Sequence, residues 1–179
     1  MKTALLLIDI QNDYFKGGAM PLIGADEACR NARLLLEKFR SEKLPVIFIR
    51  HLSTRPGSAF FIPDTPGAEI TPLLQPIESE RVIDKHYPNS FRQTSLLSVL
   101  QDMKITNLVI CGMMTHMCVD ATVRAAKDLG FDSTVISDAC ATRDLSVQGK
   151  NVAAQDVQNA FLAAFEYFYA EVLTTRQYL

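Results

Sequence analysis

Three side chains that could act together on a carbonyl group follow three separate apolar segments of the chain. They are Asp9, Lys85 and Cys118. A carboxylate can take the proton of a thiol, a cation can hold the charges of both, and backbone N–H groups at a helix start can bind an oxyanion. These residue types predict a nucleophilic site that requires no histidine.

Each of the three residues also has a plainer interpretation. Asp9 interrupts an apolar segment, and it could be a structural acid that caps a neighbouring loop. Lys85 could be an ordinary exposed lysine. Cys118 stands where a loop turns into a helix, which favours the thiolate, although a single cysteine is more often an inert buried side chain.

The other cysteines are Cys29, Cys111 and Cys140, and no two cysteines form a C-x-x-C pair. This spacing fits neither a secreted disulfide framework nor a zinc site, so all four cysteines are predicted to be free thiols. Cys140 follows the fifth apolar segment and remains a minor competitor for the nucleophile.

Apolar segments alternate with amphipathic helices along the chain. The predicted strands cover residues 4–10, 46–49, 81–84, 107–111, 133–137 and 171–174, and the predicted helices cover 26–40, 94–103, 121–129 and 157–168. This alternation predicts an α/β fold, a three-layer α/β/α sandwich around a six-stranded, mainly parallel sheet. Ligands bind beyond the carboxyl ends of such strands, where Asp9, Lys85 and Cys118 fall.

Residues 51–80 interrupt this alternation. They hold five of the eight prolines, and glycines at positions 57 and 67, which predicts a long loop. A loop of this length in a compact domain is usually a lid or a wall of a site.

Composition narrows the class of protein. A chain of 179 residues, 48% hydrophobic and 21% charged, is predicted to form one domain over residues 1–179. Eighteen basic against twenty acidic residues leave a net charge of -2, without the basic excess that nucleic acid or an anionic membrane would attract. The apolar stretch before Asp9 is too short for a signal peptide or a membrane span, which predicts a cytoplasmic protein.

Four motifs occur in a fixed order along the chain. They are Leu7-Ile-Asp-Ile-Gln-Asn-Asp13, Lys85 followed by Asn89-Ser-Phe91 and Thr94, Cys111-Gly-Met-Met-Thr-His-Met-Cys-Val119 with Ala121-Thr122 and Ala125-Ala126, and Ser137-Asp-Ala139. With these motifs the sequence resembles the isochorismatase-like cysteine hydrolases, which include nicotinamidases, N-carbamoylsarcosine amidohydrolase and ureidoacrylate hydrolase.

The resemblance implies the strand order 3-2-1-4-5-6, the catalytic triad Asp9, Lys85 and Cys118, and no cofactor. Asp9 would take the thiol proton, Cys118 would attack a carbonyl, and water would hydrolyse the thioester. The N–H groups of Met114 and Cys118 would form the oxyanion hole, with a cis peptide between Met113 and Met114. The residues expected around a small-molecule substrate are Phe15, Phe91, Met113, His116 and Met117, with parts of the 51–80 loop.

Two differences from known members of the family indicate which branch of it this chain resembles. Metal-dependent nicotinamidases carry a further histidine after the second strand, whereas this chain has none between His51 and His86, so a two-histidine metal site cannot be built there. His51 is then a loop hydrogen-bonder or a wall of the pocket. The missing histidine favours a metal-independent enzyme. True isochorismatases lack the cysteine, so Cys118 favours cleavage of a C–N bond in a small amide or carbamoyl compound.

Other functions stay open at this point. The family also contains isochorismatase-type hydrolases of vinyl ethers, and the chain could be a catalytically lapsed scaffold. A nucleotide-binding module is disfavoured because residues 9–18 lack G-x-G-x-x-G and a Walker-type lysine. A homo-oligomer is expected from the resemblance, and the aromatic residues of 161–169 could supply its interface or close the core of the monomer.

Overall fold

A six-stranded parallel sheet forms the centre of the computed structural model, which describes residues 2–179. The strands are β1 (Thr3–Ile8), β2 (Val46–His51), β3 (Arg81–Lys85), β4 (Asn107–Met113), β5 (Asp132–Ala141), β6 (Leu145–Val147), β7 (Lys150–Val152) and β8 (Glu171–Leu173). The sheet order is β3-β2-β1-β4-β5-β8, and β6 and β7 form a separate antiparallel hairpin. The predicted fold class and strand order are confirmed, with the sixth predicted strand numbered eighth because the hairpin was not predicted.

Helices flank this sheet. They are α1 (Ala25–Ser41), α2 (Leu96–Asp102), α3 (Asp120–Asp128), α4 (Ala154–Ala164) and α5 (Thr175–Tyr178), with π-helical turns at Thr115–Val119 before α3 and at Phe165–Tyr169 after α4. The short α5 was not predicted, although Thr174 and Gln177 form a capping box at its start. Among residues 2–179, no helix combines the length and apolar character needed to cross a membrane.

The centre of the sheet is buried on both faces. Residues Ala4 to Ile8 of β1 are each at most 1% exposed, as expected of a central parallel strand. On one face α1 buries Leu35, Leu36 and Phe39 completely. Each such side chain contributes about 1.5–3 kcal/mol through its removal from water, so this core holds the strand ends in place.

Register and one glycine determine how the strand ends meet. Ile8 pairs with Ile49 of β2 and with Gly112 of β4, and His51 pairs with Lys85. Gly112 has a φ of 140°, and a Cβ there would overlap the carbonyl of Ile8. The absence of a side chain therefore lets the end of β4 lie close against the end of β1.

The 51–80 loop is fixed to the segment that follows β1. Gln11 forms a β-bridge with Ile70, and the Asn12 side chain donates to the Pro66 carbonyl at 2.8 Å. The Asp13 carboxylate accepts from the N–H of Phe61 at 2.7 Å. Through these bonds Asn12 and Asp13 hold the loop as a wall beside Asp9.

Gly67 tests this attachment. A Cβ at Gly67 would overlap the buried Asp13 carboxylate, so Gly67→Ala is expected to destabilise the protein by about 2–3 kcal/mol, as overpacking does. Gly57→Ala is the control, because a Cβ there meets nothing within 4 Å and only its φ of 77° is unfavourable. In urea unfolding, Gly67→Ala should have a lower free energy of unfolding than Gly57→Ala. The reverse order would show that the loop does not depend on Asp13.

The aromatic residues near the end of the chain divide between core and surface. Phe165 is fully buried, whereas Tyr167 is 90% and Phe168 is 62% exposed. Phe165 lies in the core, Phe161 and Tyr169 are partly buried against it, and Tyr167 and Phe168 lie on the surface. Assembly of the chain into a homo-oligomer stays a prediction.

Candidate active site

The three predicted catalytic residues come together at the carboxyl ends of the strands. Asp9 directly follows β1, Lys85 ends β3, and Cys118 lies in the π-helical turn before α3. The Lys85 Nζ is 2.7 Å from the Asp9 Oδ2, and the sulfur of Cys118 lies within 4.8 Å of the Asp9 carboxylate. Asp9 and Lys85 are fully buried and Cys118 is 5% exposed, so their charges interact with little screening by water.

Asp9 has an unusual backbone and few partners. Its φ is 51°, in the left-handed region that non-glycine residues rarely occupy, and its N–H donates to the Ile49 carbonyl at 3.0 Å. Among residues 2–179, neither carboxylate oxygen receives a hydrogen bond of good geometry, so the contact with Lys85 is an ion pair. The carboxylate is thus held by charge and can still accept a proton from a thiol.

Lys85 is held as an ammonium ion. Burial alone would lower the pKa of Lys85, but Asp9 and Cys118 outweigh burial and raise the pKa above its usual value. The same ammonium lies 2.9 Å from the Nδ1 of His51 in a hydrogen bond. Lys85 therefore supplies a permanent positive charge between the carboxylate and the sulfur.

Cys118 differs from the expectation of a favoured thiolate. Burial and the nearby Asp9 carboxylate raise the pKa of the Cys118 thiol, and the Lys85 ammonium offsets only part of this rise. This shift favours the thiol form of Cys118 in the resting protein.

His51 is fixed at the end of β2 by Gln11. The His51 N–H donates to the Gln11 Oε1 at 2.8 Å, and the Gln11 Nε2 donates to the carbonyls of His51 and Ala68 at 2.9 and 2.7 Å. Burial and the Lys85 ammonium lower the pKa of His51 to about 4. The imidazole is therefore neutral at pH 7 and accepts a hydrogen bond from Lys85, which is the hydrogen-bonding role predicted for it.

The lowered pKa of His51 predicts a pH dependence of stability. Between its unfolded pKa of about 6.5 and its folded pKa of about 4, the unfolded chain binds more protons, so stability falls as the pH falls through this window. From pH 7 to pH 5 the free energy of unfolding of the wild type should fall by about 1–2 kcal/mol more than that of His51→Asn. Urea unfolding at the two pH values measures this difference. Parallel losses in both proteins would contradict a buried neutral His51.

A metal ion does not fit between these side chains. Donor atoms of Asp9, His51 and Cys118 lie within 4.8 Å of one another, a spacing that could hold a cation. The Lys85 ammonium already lies 2.7 Å from Asp9 and 2.9 Å from His51 Nδ1. The ammonium occupies the position where a metal ion would bind, and its positive charge would repel a metal ion.

The loop after β4 provides backbone groups near the sulfur. The peptide bond between Met113 and Met114 is cis. The Met114 carbonyl accepts from the N–H groups of Met117 and Val119 at 3.0 and 3.3 Å, while the Met114 N–H donates to no described residue. An unpaired N–H here is available to a ligand, as an oxyanion hole requires.

The predicted pocket residues on this loop differ in exposure. Met113 is fully buried, whereas Met117 is 41% exposed. His116 is half-buried, and its Nδ1 lies 2.6 Å from the Thr142 Oγ1 at the end of β5. Burial lowers the pKa of His116. Their contact with a substrate stays a prediction.

The two predicted phenylalanines have different surroundings. Phe15 is half-buried and packs against the core beside the segment that carries Asp9. The ring of Phe91 lies 6.0 Å from that of Phe131, in a stacked arrangement. Phe131 directly precedes β5, at the amino end of this strand. This contact therefore gives Phe91 a packing role away from the carboxyl ends of the strands, where Asp9 and Lys85 lie. A part for Phe91 in substrate binding stays a prediction.

Sequence reasoning missed Tyr14. This residue is 1% exposed, and burial, Cys118 and Asp9 raise the pKa of its hydroxyl, which places it near both groups. Its ring lies 4.6 Å from Phe61 and 6.0 Å from Phe60, so the wall beside the sulfur is aromatic. The position of Tyr14 directly after the Asn12-Asp13 pair was the available signal.

Cys140 does not share this environment. Burial raises the pKa of Cys140 to about 12, and its thiol lines a cavity of about 370 Å³ between α1, β5 and α4. Asp9, Lys85 and Cys118 do not line that cavity. Cys29, Cys111, Cys118 and Cys140 are all free thiols, as predicted. Of these, Cys118 is the one beside a carboxylate and an ammonium.

Comparison with known proteins places the chain in a family. The family model described as Isochorismatase domain matches residues 3–177. The chain belongs to the isochorismatase family of hydrolases. This isochorismatase-family chain is 48% identical over 179 residues to the uncharacterized isochorismatase family protein YddQ of Bacillus subtilis (strain 168), with 100% of this chain and 99% of the relative covered.

Two further relatives support the assignment of this isochorismatase-family chain. It is 37% identical to an isochorismatase from Pseudomonas putida KT2440 whose crystal structure matches with a TM-score of 0.92, over 98% of this chain and 89% of that one. It is 30% identical over 196 residues to the nicotinamidase of Escherichia coli (strain K12), covering 89% of each chain. The predicted family is confirmed.

Proposed function

We propose that this protein is a metal-independent cysteine hydrolase that cleaves a C–N bond of a small amide or carbamoyl compound. The observation that carries the proposal is the buried group of Asp9, Lys85 and Cys118, with an ion pair of 2.7 Å beside the sulfur. The nicotinamidase relative, an amidase by its name, supports amide hydrolysis.

In the proposed first half-reaction, Asp9 takes the proton of Cys118 as the sulfur attacks the carbonyl carbon. The C–S bond forms, and the carbonyl electron pair moves onto oxygen. When the oxyanion collapses, the C–N bond breaks and Asp9 gives its proton to the leaving nitrogen. The raised pKa of the thiol explains why proton removal accompanies attack, because no thiolate is formed beforehand.

The second half-reaction reverses the proton transfers. Asp9 takes a proton from water, and the water oxygen attacks the thioester carbon. The C–S bond breaks, and the proton returns from Asp9 to the sulfur of Cys118. Lys85 stays an ammonium ion throughout, because its pKa is raised. It faces the Asp9 carboxylate in the resting protein and in the thioester, and in the tetrahedral intermediates the negative charge is on the oxyanion.

The oxyanion of both steps would lie against the N–H groups of Met114 and Cys118. The unpaired N–H of Met114 supports this placement. Loss of one such donor typically costs about 10²–10³-fold in rate. The aromatic wall of Tyr14, Phe60 and Phe61 suits a substrate with a flat or apolar body.

Ammonia release from a panel of small primary amides and carbamoyl compounds tests the proposal. Wild type and Cys118→Ala are compared, and the intact mass of the wild type is recorded during turnover to detect an acyl group on Cys118. Release by the wild type alone, with the acyl adduct, is the expected result. Release by both proteins would refute the nucleophile, and release by neither would refute amide hydrolysis.

A further inference from the structure

His51 makes a hydrogen bond with the Lys85 ammonium, in addition to the contact of this ammonium with Asp9. Its Nδ1 lies 2.9 Å from Nζ because β2 and β3 pair His51 directly with Lys85. The contact of Nζ with Asp9 is an ion pair in which neither carboxylate oxygen accepts a well-shaped hydrogen bond. A charge–charge contact has little directional preference, so the bond to His51 orients the ammonium.

This bond also determines where the imidazole carries its proton. An ammonium group has donors only, so Nδ1 must accept, and the single proton of a neutral imidazole must be on Nε2. The titratable groups facing His51 are Lys85, Asp9 and His86. Burial and the ammonium both oppose a second proton on the ring, and the tautomer with Nε2–H is thereby fixed.

The Nε2–H of His51 is a donor with no partner in the described chain. The side chain is 17% exposed, and Nε2 is not among the fully buried polar atoms that lack a partner. Its N–H is therefore accessible, on a ring that contacts the ammonium through Nδ1 and lies near Asp9 and Cys118. The scissile carbonyl oxygen would already be held by Met114 and Cys118, so this donor is left for a different acceptor.

We propose that His51 is a positioning residue that directs the Lys85 ammonium toward Cys118, and that its Nε2–H selects substrates with a second hydrogen-bond acceptor close to the scissile amide. This inference rests on the proposed amide hydrolysis. The two roles belong to two different ring nitrogens, so suitable variants can separate them.

His51→Asn and His51→Phe form the matched pair. Asparagine places an amide oxygen where Nδ1 lies and has no group at Nε2, whereas phenylalanine keeps the ring, and its contact with Phe61 at 5.8 Å, but has neither function. His86→Asn is the control histidine variant, because the Nδ1 of His86 bonds to the Leu52 carbonyl outside the proposed site.

The positioning role is measured by the rate at which iodoacetamide alkylates Cys118 across a pH series. His51→Asn and His86→Asn should match the wild type, and His51→Phe should react about tenfold more slowly at a given pH, the effect of one hydrogen bond to a charged group. A His51→Phe protein that is folded and alkylates like the wild type would overturn this role.

The selective role is measured with methoxyacetamide and butanamide, which have the same shape and differ by one ether oxygen. The ratio of kcat/KM for the pair should fall about fivefold or more in both His51→Asn and His51→Phe, and stay unchanged in His86→Asn. An unchanged ratio in His51→Asn would overturn the selective role. Turnover of no amide by the wild type would refute the proposed function, while alkylation still tests the positioning role.

The tautomer can also be observed directly in the unmodified protein, with a variant used only to assign the signal. A long-range ¹H–¹⁵N spectrum of the imidazoles, with His51 assigned by its loss in His51→Asn, should show a neutral ring protonated on Nε2 from pH 8 to pH 5. A proton on Nδ1, or an imidazolium ion at pH 7, would overturn the inference.

Discussion

Replacing Asp9 with asparagine should abolish amide hydrolysis and at the same time make Cys118 react faster with an alkylating reagent. The loss of turnover follows from loss of the base that removes the thiol proton and returns it to the leaving nitrogen. General acid–base catalysis contributes about 10²–10⁴-fold, and Asp9 acts in both half-reactions, so a fall of at least about 10³-fold is expected.

The faster alkylation follows from charge balance. Asp9 raises the pKa of Cys118 and competes with the sulfur for the Lys85 ammonium. Without the carboxylate, the buried ammonium lacks an anion, and the Cys118 thiolate is the group that can supply one. The pKa of the thiol should fall, and more thiolate should be present at pH 7.

Iodoacetamide kinetics and ammonia release, measured on the same preparations, test both parts. Asp84→Asn is the control, because Asp84 precedes Lys85 on β3 but forms an exposed ion pair with Arg50. Slower alkylation in Asp9→Asn would mean that Asp9 stabilises the thiolate, and near-normal turnover would show that Asp9 is not the base.

Lys85→Met should destabilise the fold as well as stop catalysis. Methionine can fill the space of the lysine stem, but it leaves the fully buried Asp9 carboxylate without a counter-charge. Breaking a buried ion pair in this way typically costs about 3–5 kcal/mol. Amide hydrolysis should fall to background, because the thiolate formed during attack also loses its cation.

Two comparisons separate this effect from general damage to β3. Arg50→Met removes the exposed pair with Asp84 and should cost below about 1 kcal/mol in urea unfolding. The double variant Asp9→Asn/Lys85→Met should be more stable than Lys85→Met alone, because neither uncompensated charge remains. A Lys85→Met protein as stable as the wild type would refute a buried ion pair in the native state.

The architecture was largely predictable because the local pattern of apolar residues indicates which segments are buried. Continuous apolar segments such as residues 4–8 indicate strands covered on both faces, and the spacing of Leu35, Leu36 and Phe39 indicates a helix with one buried face. The hairpin of β6 and β7 was missed because its strands have three residues each and are mostly exposed. Neither apolar periodicity nor a strong turn signal marks so short an element.

The candidate site was predictable in its members but not in its electrostatics. The motifs around Asp9, Lys85 and Cys118 identified residues that the fold brings within a few ångströms of one another. A local rule, the helix start, predicted a lowered pKa for Cys118. Burial and the Asp9 carboxylate, which is distant in sequence, raise the pKa of Cys118 instead.

By itself, the sequence determined the family, the parallel α/β sheet and the three candidate catalytic residues, since apolar pattern and motif order are properties of neighbours along the chain. Only the tertiary structure decided which side chains meet. His51 and Lys85 are 34 positions apart and touch because of the register between β2 and β3, and the Tyr14 ring packs against Phe61 of the 51–80 loop. Proton positions depend on such non-local contacts and on burial, which no single segment specifies.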